Sequence, residues 1–478
     1  MADAGKETRE SYDVTIVGAG PAGYSAAIRA AQLGLSVALV EKRDRLGGTC
    51  LNVGCIPSKA LLDSTELFQR CRSGLEPHGI GVSGVKLDLA AMMERKGQVV
   101  EKFTSGLATI MKKRKVTVVH GEAEVLSSTR VRAAAVDADG TPTREWDTGA
   151  VVLATGSEPQ SLPFMELDGK RIVSSTEALA FDSVPKSLVV IGAGAIGLEM
   201  GSVWSRLGAD VTVVEIMPSV LPGWDRQVSQ VLKRELAKQG MDIRLSTRVT
   251  DAKVGRKGVS LKTETGSGDQ EELRGDVVLL AVGRRPSHGG LDLEKLGVKT
   301  DDGARVVVDE RFQTSAEGIY AVGDLIPGPM LAHKGEEEGI AVAEILAGRA
   351  GHVGYDTIPN VVYTWPEAAS AGRSEQQLEQ DEVPYNKGAF SFGANGRALA
   401  MGDPSGFVKI LAHGETDRVL GVHIVGPWAS SLIAEAVAVM EFGGSAEDIA
   451  RTVHAHPTLP EVVKEAALAV DGRPIHGL

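Results

Sequence analysis

Cys50 and Cys55 are the residues whose type and spacing first promise chemistry. They stand five positions apart in Gly47-Gly48-Thr49-Cys50-Leu51-Asn52-Val53-Gly54-Cys55-Ile56-Pro57-Ser58-Lys59-Ala60. A disulfide needs Cα atoms within about 7 Å, whereas five residues of undistorted helix climb about 7.5 Å. Pairing therefore requires a bent backbone, and Gly54 supplies the freedom to bend. Pro57 pushes Ile56 toward extended geometry and suits the first turn of a helix through Lys59. Thiols near such a helix N-terminus meet a dipole that favours thiolate. On these residues alone three uses stay open. The thiols are unrelated and buried, or half of a zinc site lacking further ligands at ligand spacing, or a redox-active dithiol.

The elements around the pair speak for redox use. Tyr12 to Val17 reads as a buried parallel strand. It runs into Gly18-Ala19-Gly20-Pro21-Ala22-Gly23, an Ala-rich helix, and a second strand, Ser36 to Val40, ending in Glu41. The acid lies 41 − 23 = 18 residues past the last glycine, close to the ~20 of the dinucleotide fingerprint. Gly18, Gly20 and Gly23 would let backbone N–H groups approach a pyrophosphate at the helix N-terminus, and Glu41 would bind a ribose hydroxyl. The bland alternative is a glycine turn that binds nothing. The unit recurs as Ser187 to Ile191, Gly192-Ala193-Gly194-Ala195-Ile196-Gly197, a helix Leu198 to Leu207, and Asp210 to Glu215, again 215 − 197 = 18 residues on. An acid at Glu215 suits the 2′-hydroxyl of NAD; NADP sites place Arg nearby, and Ile216-Met217-Pro218 offers none. Two such sites, one beside a dithiol, point to FAD plus NAD in a disulfide–flavin–nicotinamide relay.

Elsewhere, Val151 to Ser157 reads as a strand ending in a turn against a cofactor, and residues 67–118 as largely helical, with a long segment from Leu89 to Lys115. Buried strands are expected at Asp276 to Gly283 and Gly318 to Asp324, and Gly328 to His333 opens a helix whose dipole faces negative charge. From about residue 356 the pattern becomes α+β. Phe407–Leu411 and Val419–Val425 form an antiparallel pair, followed by helices at Leu432–Phe442 and, capped by Ser445, Ala446–Val453. The last motif is His454-Ala455-His456-Pro457-Thr458-Leu459-Pro460-Glu461. A histidine with a carboxylate in reach is a base near neutral pH, yet Thr458-x-x-Glu461 is equally a capping box. Spacing leaves both standing.

Composition narrows the class. The 478 residues allow three or four domains, and 43% hydrophobic with 24% charged residues is ordinary globular usage. A net charge of −12 argues against nucleic-acid binding. Three cysteines speak for a reducing compartment. The charged stretch Met1–Glu10 is no signal peptide and a poor transit peptide, and no apolar run reaches ~18 residues. A cytoplasmic chain, most simply bacterial, is expected, with no membrane or metal partner.

GGTCLNVGCIPSKALL, the doubled fingerprints GAGPAG and GAGAIGLE, IYAVGDLIPGPMLAHK and HAHPTLPE together resemble the dihydrolipoamide dehydrogenases, class I pyridine nucleotide-disulfide oxidoreductases, over roughly residues 10 to 470. The resemblance implies two Rossmann-like domains plus a C-terminal α+β interface domain. The flavin domain would take 1–158 and 283–355, the nicotinamide domain 159–282, and the interface domain 356–478. It implies a Cys50–Cys55 redox disulfide, with Cys50 outermost and Cys55 against FAD. His456 would be the base oriented by Glu461, with His454 structural and Lys59 paired to Glu199 near the flavin. FAD-contacting positions would include Gly48, Thr49, Gly121, Thr155, Gly156, Ser157, Asp324, Met330, Leu331, Ala332 and His333; Val249 and Gly283 would join Gly192 to Glu199 and Glu215 around NAD. The resemblance also implies a homodimer with His456 serving the other subunit's dithiol. Its partners would be the lipoyl domains and acyltransferase core of 2-oxo-acid dehydrogenase complexes, or the glycine-cleavage lipoyl protein. Cys71 and the tail Asp471–Leu478 receive no role. Glutathione-type reductases fit Glu215 poorly, mercuric reductase needs later cysteines, and a non-catalytic flavoprotein would not need both motif sets.

Overall fold

The computed structural model describes residues 10–134 and 143–477; residues 1–9 of the expected non-leader stretch lie outside them, as does Leu478 of the tail. The chain divides into two units.

The first unit comprises Met1–Pro57, Arg95–Gln160 and Arg284–Val353. Its centre is a five-stranded sheet in the order Ile319–Ala321, Val151–Leu153, Val14–Val17, Val37–Glu41, Thr117–His120, with all pairings parallel. The inner strands are buried along their whole length, which is why they read as unbroken Val/Ile/Leu runs. The expected strand from Tyr12 to Val17 is in fact two. Ser11–Tyr12 pairs with Asp147–Thr148 in a smaller four-stranded sheet, and Val14–Val17 enters the parallel one. Asp13 sits at the switch, accepting from the Ser36 N–H and hydroxyl, both at 2.7 Å. Trp146, fully buried, ties the small sheet down through Nε1–H to Thr15 Oγ1 at 2.9 Å.

Helix Pro21–Gln32 lies along helix Ala332–Leu346 at very close range. A Cβ on Gly339 would stand 2.2 Å from the Ala22 carbonyl oxygen. Arg29 pairs with Glu344, and the Tyr24 hydroxyl donates to Glu336 at 2.5 Å across the same seam. Beneath it, Lys334 and Glu338, both without solvent exposure, pair at 3.0 Å; Lys334 also donates to Gly323 O, and Glu338 accepts from Gly323 N–H.

The second unit comprises Ser58–Glu94, Ser161–Gly283 and Gly354–Leu478. It repeats the parallel five-stranded sheet in the order Ile172–Val173, Val277–Leu280, Ser187–Ile191, Asp210–Val214, Asp242–Arg244. An antiparallel meander of Thr247–Gly255, Gly258–Thr265 and Gln270–Gly275 follows. A further sheet, antiparallel throughout, orders Asn360–Val362, Glu367–Gly372, Val419–Gly426, Phe407–His413 and Tyr385–Ser391. Ala429–Glu441, Ala446–Arg451 and Glu461–Val470 are among the helices of this α+β part, and Ile433, Ala436, Val462 and Ala466 share its buried core.

One polar knot is buried in this unit. Lys409 Nζ lies 2.7 Å from Asp225 Oδ1 and 3.0 Å from Glu375 Oε2, so its charge is paired rather than stranded. Asp225 also caps helix Arg226–Lys238 through the Gln227 N–H. Beside the knot, burial lowers His423 to about 4, against the pull of Asp225. Its ring lies 2.7 Å from Ser370 Oγ and 3.0 Å from Arg373 O.

Two outcomes follow from this packing. Gly339→Ala gains ~1 kcal/mol of helix propensity but overpacks the helix seam at a cost of about 1–3 kcal/mol or more. Its urea midpoint therefore falls, and an unchanged or raised midpoint contradicts the close approach. For His423, the folded value lies below the unfolded one, so the unfolded chain binds the extra proton. Stability from this site is full above about 6.5 and is lost as pH falls toward about 4. Urea midpoints at pH 7 and 5 should converge in His423→Gln relative to the parent; equal pH slopes would remove His423 as a cause.

Candidate active site

The two glycine loops are built alike. Gly18 and Gly192 have φ of +101° and +107°, and a Cβ there would stand 2.4 Å from Ala154 O and 2.3 Å from Ala281 O. Gly23 and Gly197 let each helix lie on its own loop, where a Cβ would meet Gly18 O at 1.8 Å and Gly192 O at 2.0 Å. The middle glycines face room instead: a Cβ on Gly194 meets nothing within 4 Å, and one on Gly20 meets only the Gly48 Cα at 3.9 Å. This is the pattern a pyrophosphate requires, tight at the ends and open in the middle. The terminal acids are fixed from within. Glu41 accepts from Ala19 N–H at 2.9 Å and Arg43 N–H at 3.0 Å; Glu215 accepts from Ala193 N–H at 2.7 Å and Met217 N–H at 2.9 Å. Each carboxylate braces its loop while keeping lone pairs for a ribose.

In the first unit, Gly121, at φ +157°, donates to Glu41 O at 2.9 Å, and Gly156, at φ +73°, turns the chain after Thr155. Thr155 Oγ1 is buried and, among the described residues, has no hydrogen-bond partner. An orphaned hydroxyl beside Gly18 fits a dinucleotide that would complete it. Met330 and Leu331 precede helix Ala332–Leu346, with Leu331 as N-cap and Ala332 and His333 in the first turn. In the second unit Val249 is buried in strand Thr247–Gly255, and Gly283, at φ +126°, follows strand Val277–Leu280.

The redox stretch bends where glycine allows. Helix Gly48–Val53 carries Thr49 and Cys50; Gly54, at φ −141° and ψ −115°, ends it, and helix Cys55–Ser73 begins at the second cysteine. The new helix thus starts at Cys55, ahead of Pro57. Both cysteines are half-buried, and Cys71 is exposed. Gly47 N–H donates to Ala19 O at 2.8 Å, and a Cβ on Gly48 would stand 2.5 Å from Gly20 Cα. The dithiol helix is therefore pinned to the first nucleotide loop.

Lys59 and Glu199, both in the second unit, pair at 2.9 Å. Glu199 also accepts from Tyr363 N–H at 3.0 Å, and Lys59 Nζ lies 4.4 Å from the Tyr363 ring centroid.

The roles of Arg284 and Tyr24 escaped the sequence reading. Ser157 donates to Asp324 Oδ2 at 2.5 Å and is itself clasped by Arg284, Nε to Oγ at 2.7 Å and Nη2 to the carbonyl at 2.6 Å. Burial holds the Arg284 guanidinium below its ordinary value, while Asp324 and Cys55 pull it back up. Tyr24 is pushed well above its ordinary value by burial, then by Glu336 and by the charges of Cys50 and Cys55. Neither residue carries a local motif; the only hint was Arg284 directly after a buried strand and its glycine.

At the other end of the second unit, His456 Nδ1 lies 2.8 Å from Glu461 Oε1, and Glu461 Oε2 accepts from Thr458 N–H at 2.7 Å. Cap and dyad are thus one arrangement rather than alternatives. Thr458 Oγ1 donates to Ala455 O instead of the helix, whose N-cap is Pro460. Partial burial opposes ionisation, but Thr458 and His456 hold Glu461 below the usual carboxylate range.

Residues 12–339 match the family described as pyridine nucleotide-disulphide oxidoreductase, and residues 358–467 match that family's dimerisation domain. The chain is 50% identical over 468 residues to dihydrolipoyl dehydrogenase 2, mitochondrial, of Arabidopsis thaliana, covering 98% of this chain and 92% of that one. It is 49% identical over 468 residues to the mitochondrial dihydrolipoyl dehydrogenase of Pisum sativum, covering 98% and 93%. The crystal structure of LpdA from Mycobacterium tuberculosis agrees at a TM-score of 0.87 and 30% identity, over 95% of this chain and 98% of that one. The expectation of a cytoplasmic location is corrected: both plant relatives are mitochondrial by name. Few cysteines mark a reducing environment, and that property does not separate one compartment from another. The expected fold class, cofactors and self-association agree with these matches. The chain belongs to the pyridine nucleotide-disulphide oxidoreductase family, on its dihydrolipoyl dehydrogenase branch, a group of homodimeric enzymes using FAD and NAD.

Proposed function

We propose that the chain oxidises dihydrolipoamide through a Cys50–Cys55 disulfide, delivering the electrons to NAD. The observation that carries this reading is the helix break at Gly54, which separates the two half-buried cysteines while Gly48 pins their segment to the first nucleotide loop. In the dimer, His456 of one subunit serves the dithiol of the other. With Nδ1 engaged by Glu461, Nε2 takes the proton from one substrate thiol. The resulting substrate thiolate attacks Cys50 Sγ, the Cys50–Cys55 bond breaks, and the bond electrons leave on Cys55 as thiolate. The second substrate thiol attacks the mixed disulfide, expelling the Cys50 thiolate, which takes a proton by way of His456. Lipoamide leaves oxidised and the dithiol holds two electrons more than before. FAD, when bound, supplies the two-electron acceptor between this dithiol and NAD.

The remaining residues bind and orient. Gly18, Gly20, Gly23, Glu41, Gly48, Thr49, Gly121, Thr155 to Ser157, Asp324 and Met330 to His333 hold FAD. Gly192, Gly194, Gly197, Glu199, Glu215, Val249 and Gly283 would hold NAD, and Lys59, paired with Glu199, would supply a cation for the flavin. We assign 1–158 and 283–355 to flavin, 159–282 to nicotinamide and 356–478 to the dimer interface. The substrate arm belongs to a lipoyl domain, of a 2-oxo-acid dehydrogenase complex built on an acyltransferase core or of the glycine-cleavage lipoyl protein.

Cys50→Ser should retain FAD yet lose dihydrolipoamide turnover by about 10³-fold or more, read as NADH formation; turnover at the parental rate would end the dithiol assignment. Glu215→Ala removes a charged hydrogen bond to ribose and should lower the preference for NADH over NADPH by about tenfold. An unaltered preference, measured as the ratio of kcat/KM values, would show that Glu215 only braces its loop.

A further inference from the structure

His454, two residues before His456, is held as tightly as His456 is exposed. The His454 side chain is 5% exposed and the His456 side chain 78%. His454 Nδ1 lies 3.0 Å from Thr452 O, and Nε2 lies 2.6 Å from Glu435 Oε1 on helix Ala429–Glu441. A carbonyl can only accept, so Nδ1 donates to Thr452 and Nε2 is left facing the Glu435 carboxylate. The ring thereby clamps two elements, the Thr452 backbone after helix Ala446–Arg451 and the neighbouring helix. Lys464 Nζ donates to the same Thr452 oxygen at 3.0 Å. On the far side of His456, Asn395 Nδ2 holds Thr458 O at 3.0 Å. The segment bearing the exposed base is therefore fixed at both flanks, and among the described residues only Glu461 is hydrogen-bonded to the His456 ring.

We propose that the His454–Glu435 pair is a positioning device for His456, setting where its Nε2 points without touching substrate. This rests on His456 being the base, as proposed above. A ring that aims the base acts only through the base, whereas a ring that merely stabilises the fold lowers activity whatever stands at 456.

The test is a double-mutant cycle on the FAD-loaded dimer, using Glu435→Gln, His454→Asn, His456→Gln and the two doubles with His456→Gln. Readouts are kcat and KM for dihydrolipoamide with NAD, flavin content, and NADH oxidation by ferricyanide. Glu435→Gln and His454→Asn should each lower kcat by about 10- to 100-fold, leave KM, flavin content and ferricyanide reduction unchanged, and cost nothing further in the His456→Gln background. Parental kcat in Glu435→Gln, or the same fold-loss in both backgrounds, overturns the proposal. Should His454→Asn lose its flavin, Glu435→Gln decides alone. If His456→Gln itself keeps the parental rate, the assignment of the base fails first, and the clamp has nothing to aim.

Discussion

The arrangement depends on two backbones that nearly touch. Gly20, in the middle of the first nucleotide loop, and Gly48, at the start of the dithiol helix, leave no room for a side chain on Gly48, whose Cβ would come within 2.5 Å of Gly20 Cα. The hydrogen bond from Gly47 N–H to Ala19 O closes the same contact. Sulfur chemistry needs the cysteines beside whatever occupies the loop, and a contact between two main chains sets that distance with fewer soft degrees of freedom than side chains would allow. The bend at Gly54 then turns the second cysteine into the first residue of a new helix.

Within each unit, charge is handled by enclosure. Glu41 and Glu215 are spent partly on their own loops, accepting backbone N–H groups before any ribose arrives. Preorganised carboxylates of this kind lose little on binding. Lys334 with Glu338, and Lys409 with Asp225 and Glu375, are paired cations in the interior. Such pairs cost more to break than they add to stability, about 3–5 kcal/mol when one partner is removed. Their value is in fixing which elements meet. Arg284, by contrast, clasps Ser157, and the charges of Asp324 and Cys55 oppose the cost of its burial.

What the residues alone disclosed was local chemistry. The two glycine loops, the acid 18 residues past each (41 − 23 and 215 − 197), and the bend between the cysteines are each set within a few turns of chain, so spacing suffices. Long-range meetings stayed hidden. Ser157 and Arg284 are 127 residues apart in sequence, and nothing at either position announces the other. Lys409 sits in a strand like any surface lysine and is buried by partners from two other segments. Tyr12 reads as the start of the parallel strand because its neighbours are apolar, yet its backbone pairs with Thr148 elsewhere. The choice between cap and dyad at Glu461 dissolved once both carboxylate oxygens were placed, one on Thr458 N–H and one on His456.

The central claim is that a sulfur pair and a flavin form one redox unit in each chain. Anaerobic reductive titration of the purified, FAD-loaded protein with dithionite tests it most directly, counting electrons taken up per flavin. The parent should accept about four, two in the disulfide and two in the flavin, and a Cys50→Ser, Cys55→Ser double variant about two. An uptake of two in both proteins would contradict the account.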